Sequence, residues 1–167
     1  MRIVIIGGSG MIGNAVSKLA VERGHQVVIL TRQTPPTIKN AQNPLVQHWD
    51  GKHAESLAGV IDGCDAVINL AGESIGDKRW TEKRKQELQQ SRLEPSSAIV
   101  DAIQKCQKHP ATLIQASAVG IYGTGGGEIT ERSAPGADYL SKLATKWEEA
   151  TQEVEGFGVR RVVIRSG

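Results

Sequence analysis

Three glycines, Gly7, Gly10 and Gly13, recur at three-residue intervals between an apolar run at residues 2–6 and a periodic segment that begins at Met11. Without a Cβ at these points the chain can turn tightly from a strand into a helix, and its backbone can approach a bulky anion closely. The helix that follows adds N–H groups with no intrahelical partner and the positive end of its dipole. The chemistry is recognition of a pyrophosphate, and the strand-turn-helix setting of the three glycines points to a dinucleotide. A merely flexible turn would not need that spacing. The turn supplies Gly7, Ser9, Gly10, Met11, Ile12 and Gly13 as candidate cofactor contacts.

The next informative residues lie about 20 positions on, where a site for NAD usually carries Asp or Glu to hold the ribose hydroxyls. Here the positions are Thr31 and Arg32. A guanidinium forms a bidentate pair with a 2′-phosphate, and a carboxylate in its place would repel one, so the expected cofactor is NADP(H), with NAD(H) second. The alternative for Arg32 is an ordinary solvent-facing side chain.

Alternating strands and helices must position these groups. Residues 2–6 read as a strand, 11–23 as a helix closed by Gly24, and 26–30 as a second strand, a complete βαβ unit. Prolines, Asn and Thr mark 33–44 as a loop before a short strand at 45–49 and a weak helix at 53–61. The continuous apolar run at 65–70, between Gly63 and Gly72, predicts a strand covered on both faces. A long helix follows at 80–106, disturbed at Pro95, with Leu88, Leu93, Ile99 and Ile103 as core contacts. A fifth strand at 112–116, a glycine-rich loop at 123–127, a helix at 139–154 and a sixth strand at 159–165 complete the order. The fold class is α/β, a doubly wound parallel sheet of the Rossmann type in one domain over 1–167. The last strand ends almost at Gly167, where such a domain normally continues, so the reading expects a truncated chain whose substrate-binding portion is absent.

Charge narrows the partners. Twenty basic against 18 acidic residues leave a net +2, too weak a field for nucleic acid or a membrane surface, so the expected partner is a small-molecule substrate and a homo-oligomer stays open. The apolar start is too short to span a membrane and runs into glycines, which leaves no targeting segment. Cys64 and Cys106 lack metal-type spacing and read as buried free thiols of a reducing, cytoplasmic protein. His25, His48, His53 and His109 show no ligand spacing, so no metal is expected, and Trp80 and Trp147 read as packing anchors.

The chain resembles the extended short-chain dehydrogenase/reductase superfamily, in particular its atypical branch of NAD(P)-dependent sugar-nucleotide epimerase-like proteins. The resemblance covers essentially the whole chain. It rests on GGSGMIG at 7–13, LTR at 30–32, NLAGESI at 69–75, RWTEKRKQEL at 79–88, SRLEPS at 91–96, SAVGIYG at 117–123 and KWEEA at 146–150. It implies that Leu70 and Ala71, with the adjoining Gly72, pass beside the adenosine side of the cofactor. It also implies that the long helix lies near the nicotinamide, which brings in Glu87 and Arg92; without the resemblance both read as polar helix-surface residues.

By the same resemblance, hydride transfer is coupled to proton transfer by a Tyr, with a Lys four residues on that stabilises its phenolate and a Ser that orients the substrate oxygen. An unperturbed phenol near pKa 10 is a poor base at neutral pH, so the ammonium makes physical sense. This chain departs from the pattern: Tyr139 is followed by Lys142 at the third position and by Leu143 at the fourth. Ser117, Tyr139 and Lys142 are the candidate catalytic set; the alternatives are that Tyr139 packs at the helix start and that Ser117 satisfies backbone groups at the turn, and Tyr122 reads as structural. Three functions follow: an NADP(H)-dependent reductase or epimerase-like enzyme, a non-catalytic NADP(H)-binding module, and a compact reductase with a bound flavin.

Overall fold

The computed structural model describes residues 1–33 and 43–167; the loop expected over 33–44 lies, for 34–42, outside the described residues. Six strands form one sheet: β1 (Arg2–Ile6), β2 (Gln26–Thr31), β3 (Leu45–His48), β4 (Ala66–Asn69), β5 (Thr112–Ala118) and β6 (Arg160–Ser166). Their order is β3-β2-β1-β4-β5-β6 and every pairing is parallel. Among the described residues four α-helices lie between the strands, α1 (Met11–Glu22), α2 (Ala54–Ile61), α3 (Glu82–Lys105) and α4 (Tyr139–Glu149). Parallel strands need such crossovers, and the reversal of strand order beside β1 opens a crevice at the carboxyl ends of β1 and β4.

The central strands are covered on both faces. Val4, Ile6, Val28, Leu30 and Val67 join Leu57, Ile61, Ile99 and Ile103 of α2 and α3 on one side. On the other, Ile3, Ile5, Val27, Ile29 and Ile68 meet Val16, Ala20 and Val21 of α1. Two-sided burial explains why β1 and β4 read as unbroken apolar runs instead of alternating ones. β5 does alternate, with Leu113, Gln115 and Ser117 buried on the α3 and α4 side. On the α1 side Ile114 and Ala116 stand beside Val162 and Ile164 of β6; Ile114 packs half-buried against the α1-side core cluster, whereas Ile164 is 53% exposed.

The long helix is not disturbed at Pro95. α3 runs unbroken through it, although an internal proline costs about 3 kcal/mol from its lost N–H and its ring. Pro95 is buried, and its neighbour Ser96, fully buried, donates to the Arg92 carbonyl at 2.7 Å while accepting from Asn69, so tertiary packing offsets the defect. α3 starts two residues later than expected, because Thr81 caps it by accepting from the Arg84 N–H at 3.1 Å. Leu93 is only half-buried, whereas Leu88, Ile99 and Ile103 are core as expected. The helix expected over 139–154 stops at Glu149; Gln152–Phe157 forms a tighter 3-10 turn that ends at Gly158 with φ 77°. No helix among the described residues is long and apolar enough to cross a membrane.

Candidate functional site

At Gly7 the chain leaves β1 with φ 75°, and a Cβ there would lie 2.8 Å from the Leu70 carbonyl oxygen. At Gly13 a Cβ would lie 2.5 Å from the Gly8 Cα, so the first turn of α1 packs directly on the turn that precedes it. These two glycines let the loop fold back on itself. Gly10 differs: it has φ −75° and ψ 173°, and a Cβ would meet only the Gly7 oxygen at 3.4 Å. Its missing side chain leaves open space in front of the helix. α1 has no side-chain cap and no acidic residue in its first turn. Met11 and Ile12 expose their side chains to solvent, so what they offer is backbone N–H.

A cleft of about 270 Å³ opens beside this turn. Gly7, Ser9 and Gly10 line it from the end of β1, Thr31 and Arg32 from the end of β2, and Leu70, Ala71 and Gly72 from the end of β4. Of the thirteen residues expected at the cofactor, these eight therefore meet in one place. Ser9 and Thr31 hydroxyls are 3.2 Å apart, and Thr31 accepts from the Gln33 N–H at 3.2 Å, which fixes the turn that presents Arg32. Arg32 is exposed and 3.7 Å from Glu73. Arg84 also binds Glu73, and this hydrogen bond holds the Glu73 carboxyl below its ordinary range.

Glu87 and Arg92 do not line the cleft. Glu87 pairs with Arg84 at 3.1 Å, and Arg92 supports the loop from beneath, donating to the Leu88 oxygen at 3.1 Å and the Glu73 oxygen at 3.0 Å. Its guanidinium lies 5.0 Å over the Trp147 ring, and burial lowers its pKa. A Cβ on Gly72 would meet Arg92 Cζ at 3.2 Å, so the glycine makes room for this support.

Several positioning groups escaped the sequence reading. Asn69, fully buried, donates to Gln115 Oε1 at 2.9 Å and to Ser96 Oγ at 3.1 Å, while its own oxygen accepts from the Ala71 N–H at 3.1 Å. It thereby anchors the Leu70-Ala71-Gly72 wall; a polar residue closing an apolar strand was its one visible signal. Trp49, Asp50, Gly51 and Lys52 line the cleft from the end of β3, next to Glu94 and Pro95 of α3. No motif marked them, because their place depends on β3 lying beside β2.

The structure does not bring Ser117, Tyr139 and Lys142 into one cleft. Ser117 is buried and donates to Glu148 Oε1 at 2.5 Å. Burial raises the Glu148 carboxyl, but the Arg165 and Ser117 hydrogen bonds outweigh it and leave the group below its ordinary range. Arg165 also donates to the Tyr122 hydroxyl at 2.6 Å, completing a structural cluster at the end of β6. Glu148 lies nine residues beyond Tyr139 on α4, about 13 Å along the axis at 1.5 Å per residue. Tyr139 donates to the Lys85 carbonyl of α3 at 2.8 Å and stacks edge-on with Trp80. Lys142 is exposed, and burial pushes the Tyr139 phenol upward despite the pull of Arg92 and Lys85. The Tyr139 phenol is thus tied to a neighbouring helix.

Comparison with known proteins adds a common identity to this geometry. Residues 3–166 match the model of the NAD dependent epimerase/dehydratase family. Epimerase family protein YfhF of Bacillus subtilis is 40% identical over 171 residues, covering 100% of this chain and 54% of the relative. The crystal structure of human epimerase family protein SDR39U1 (isoform2) with NADPH superposes with a TM-score of 0.84 at 34% identity, over 100% of this chain and 54% of that one. The nucleoside-diphosphate sugar epimerase from Corynebacterium glutamicum gives 0.82 at 30% identity, over 100% of this chain and 34% of that chain. The chain spans about half the length of the curated relatives it matches.

Proposed function

Because the chain belongs to the NAD dependent epimerase/dehydratase family, we propose that its glycine turn and the adjoining cleft hold NADP(H), with Arg32 on the 2′-phosphate. In this reading the protein is an epimerase-like oxidoreductase for a small carbonyl or sugar-nucleotide compound. The observation that carries it is one cleft in which the open space at Gly10, the uncapped start of α1 and Arg32 adjoin, with no acidic residue at the end of β2. The human relative's NADPH supports it.

Bound NADP(H) would supply hydride transfer at its nicotinamide. The chain's own part is to bind and orient. N–H groups between Gly10 and Gly13 donate to the pyrophosphate, where the α1 dipole also favours the charge. Leu70 and Ala71 exclude water along the wall that Asn69 anchors, and Arg92 keeps Gly72 and Glu73 from sagging into the site. The substrate-binding portion belongs, in this reading, to the half of the relatives that the chain does not span. Cys64 and Cys106, both pushed up to about 11 by burial, suit a reducing, cytoplasmic setting.

Titration calorimetry with NADPH and NADH tests the assignment. The expected result is at least about tenfold tighter binding of NADPH, the contribution of one charge-assisted phosphate contact. Equal affinities for the two cofactors would remove the NADP assignment.

A second reading, binding without turnover, is favoured by the engagement of the Ser117 hydroxyl with Glu148 and of the Tyr139 hydroxyl with the Lys85 carbonyl. It makes the Tyr139 hydroxyl a structural donor. Tyr139→Phe is then expected to cost about 1 kcal/mol of stability, the typical net worth of one hydrogen bond, with NADPH affinity unchanged. Urea unfolding and calorimetry read both quantities. A roughly 100-fold fall in NADPH-dependent turnover of a carbonyl would instead restore Tyr139 as the proton donor.

A further inference from the structure

The cleft has a second cation that no motif marks. Lys52 follows β3, and its backbone N–H donates to Asp50 Oδ1 at 3.0 Å, which holds the turn 50–52 in shape. That turn lies against Arg32: a Cβ on Gly51 would stand 4.0 Å from Arg32 Cδ. β2 and β3 are paired neighbours with Thr31 beside His48, so the two cations leave adjacent strand ends and line the same cleft. Each is paired with a carboxylate, Arg32 with Glu73 at 3.7 Å and Lys52 with Glu94 of α3 at 3.1 Å. Both lysine and arginine side chains are more than half exposed, so neither pair is strong, and a dianion outcompetes a single carboxylate for them.

We propose that Lys52 is a second specificity-determining residue for the 2′-phosphate, which draws it off Glu94 to form a two-cation clamp with Arg32. The proposal rests on the cofactor reading above. Arg32 supplies the planar bidentate contact, and Lys52 supplies a compact point charge from the other strand. Glu94 lowers the affinity of the clamp by competing for Lys52.

The test uses calorimetry on the folded chain with NADPH, NADH, 2′,5′-ADP and 5′-ADP, for wild type, Lys52→Gln, Glu94→Gln and Arg32→Ala, with circular dichroism confirming each fold. Lys52→Gln is expected to weaken NADPH and 2′,5′-ADP about five- to tenfold and to leave NADH and 5′-ADP unchanged. Glu94→Gln is expected to tighten the two phosphorylated ligands about two- to threefold, since Lys52 loses its competitor. If Lys52→Gln leaves NADPH affinity intact while Arg32→Ala lowers it, the clamp is overturned and the cofactor reading stands. Equal losses for NADPH and NADH would place Lys52 on another part of the nucleotide and likewise overturn the proposal. A wild type that binds neither dinucleotide overturns both.

Discussion

Gly10→Val is expected to abolish dinucleotide binding, lowering the affinity for NADPH and NADH alike by more than about 100-fold, while the protein stays folded. The two halves of that expectation come from different observations. The backbone at Gly10 has φ −75° and ψ 173°, extended values that valine adopts without strain, and a Cβ meets only the Gly7 oxygen at 3.4 Å. The cost to the fold is therefore the poorer helix N-cap that valine makes, about 1 kcal/mol, which lowers Tm by about 2 to 4 °C in a chain of this size. The ligand has no such latitude. A branched side chain at the N-cap stands in the space through which phosphate oxygens reach the free N–H groups of α1, and each hydrogen bond to a charged acceptor lost there is worth about 1.5 to 3 kcal/mol. Thermal melting and calorimetry on one sample separate the two quantities. Unchanged affinity in a folded variant would show that the phosphates lie elsewhere.

Gly7 and Gly13 are poor positions for the same experiment. The positive φ at Gly7 and the 2.5 Å approach at Gly13 mean that a side chain at either collides with backbone, so lost binding would report lost structure. The three glycines share one motif but divide its work, two closing the turn and one leaving room in front of it.

The division also shows which parts of the molecule were legible in sequence. β1, β2 and β4 were readable because burial on both faces leaves runs of Ile, Val and Leu, and the motif fell at the strand end where the crevice opens. Boundaries set by a local signal, such as Gly24 after α1, were readable for the same reason. What escaped depends on distant pairing. Nothing near Pro95 announces that Ser96 and Asn69, 27 residues apart, will hold the helix straight past it. Nothing near Ser117 announces that Glu148, 31 residues on, will take its hydroxyl, or that Arg165 will lock both in place. Lys52 reaches the cleft only because β3 pairs with β2 across residues that no periodicity connects. Local period specifies elements, whereas the polar groups that shape the site are chosen by tertiary neighbours.

Arg32→Ala is expected to remove most of the preference for NADPH, lowering its affinity by about 10- to 100-fold while NADH affinity changes little. Arg32 leaves β2 at the rim of the cleft, where Thr31, bonded to Ser9 and to the Gln33 N–H, sets the direction of the chain. Its side chain is 65% exposed and its ion pair with Glu73 spans 3.7 Å, so removing it costs the fold almost nothing. Glu73 keeps Arg84 as its partner, which prevents a stranded carboxylate from confusing the result. What disappears is a charge-assisted, bidentate contact to a dianion, and the lost 1.5 to 3 kcal/mol or so corresponds to the stated range. The contact sits near solvent, so raising ionic strength should weaken NADPH binding to wild type more than NADH binding, and the variant should lose that difference. Arg32→Lys keeps the charge without the planar fork and should fall between the two. Wild-type NADPH affinity in Arg32→Ala, or an equal fall for NADH, would take the 2′-phosphate away from this residue.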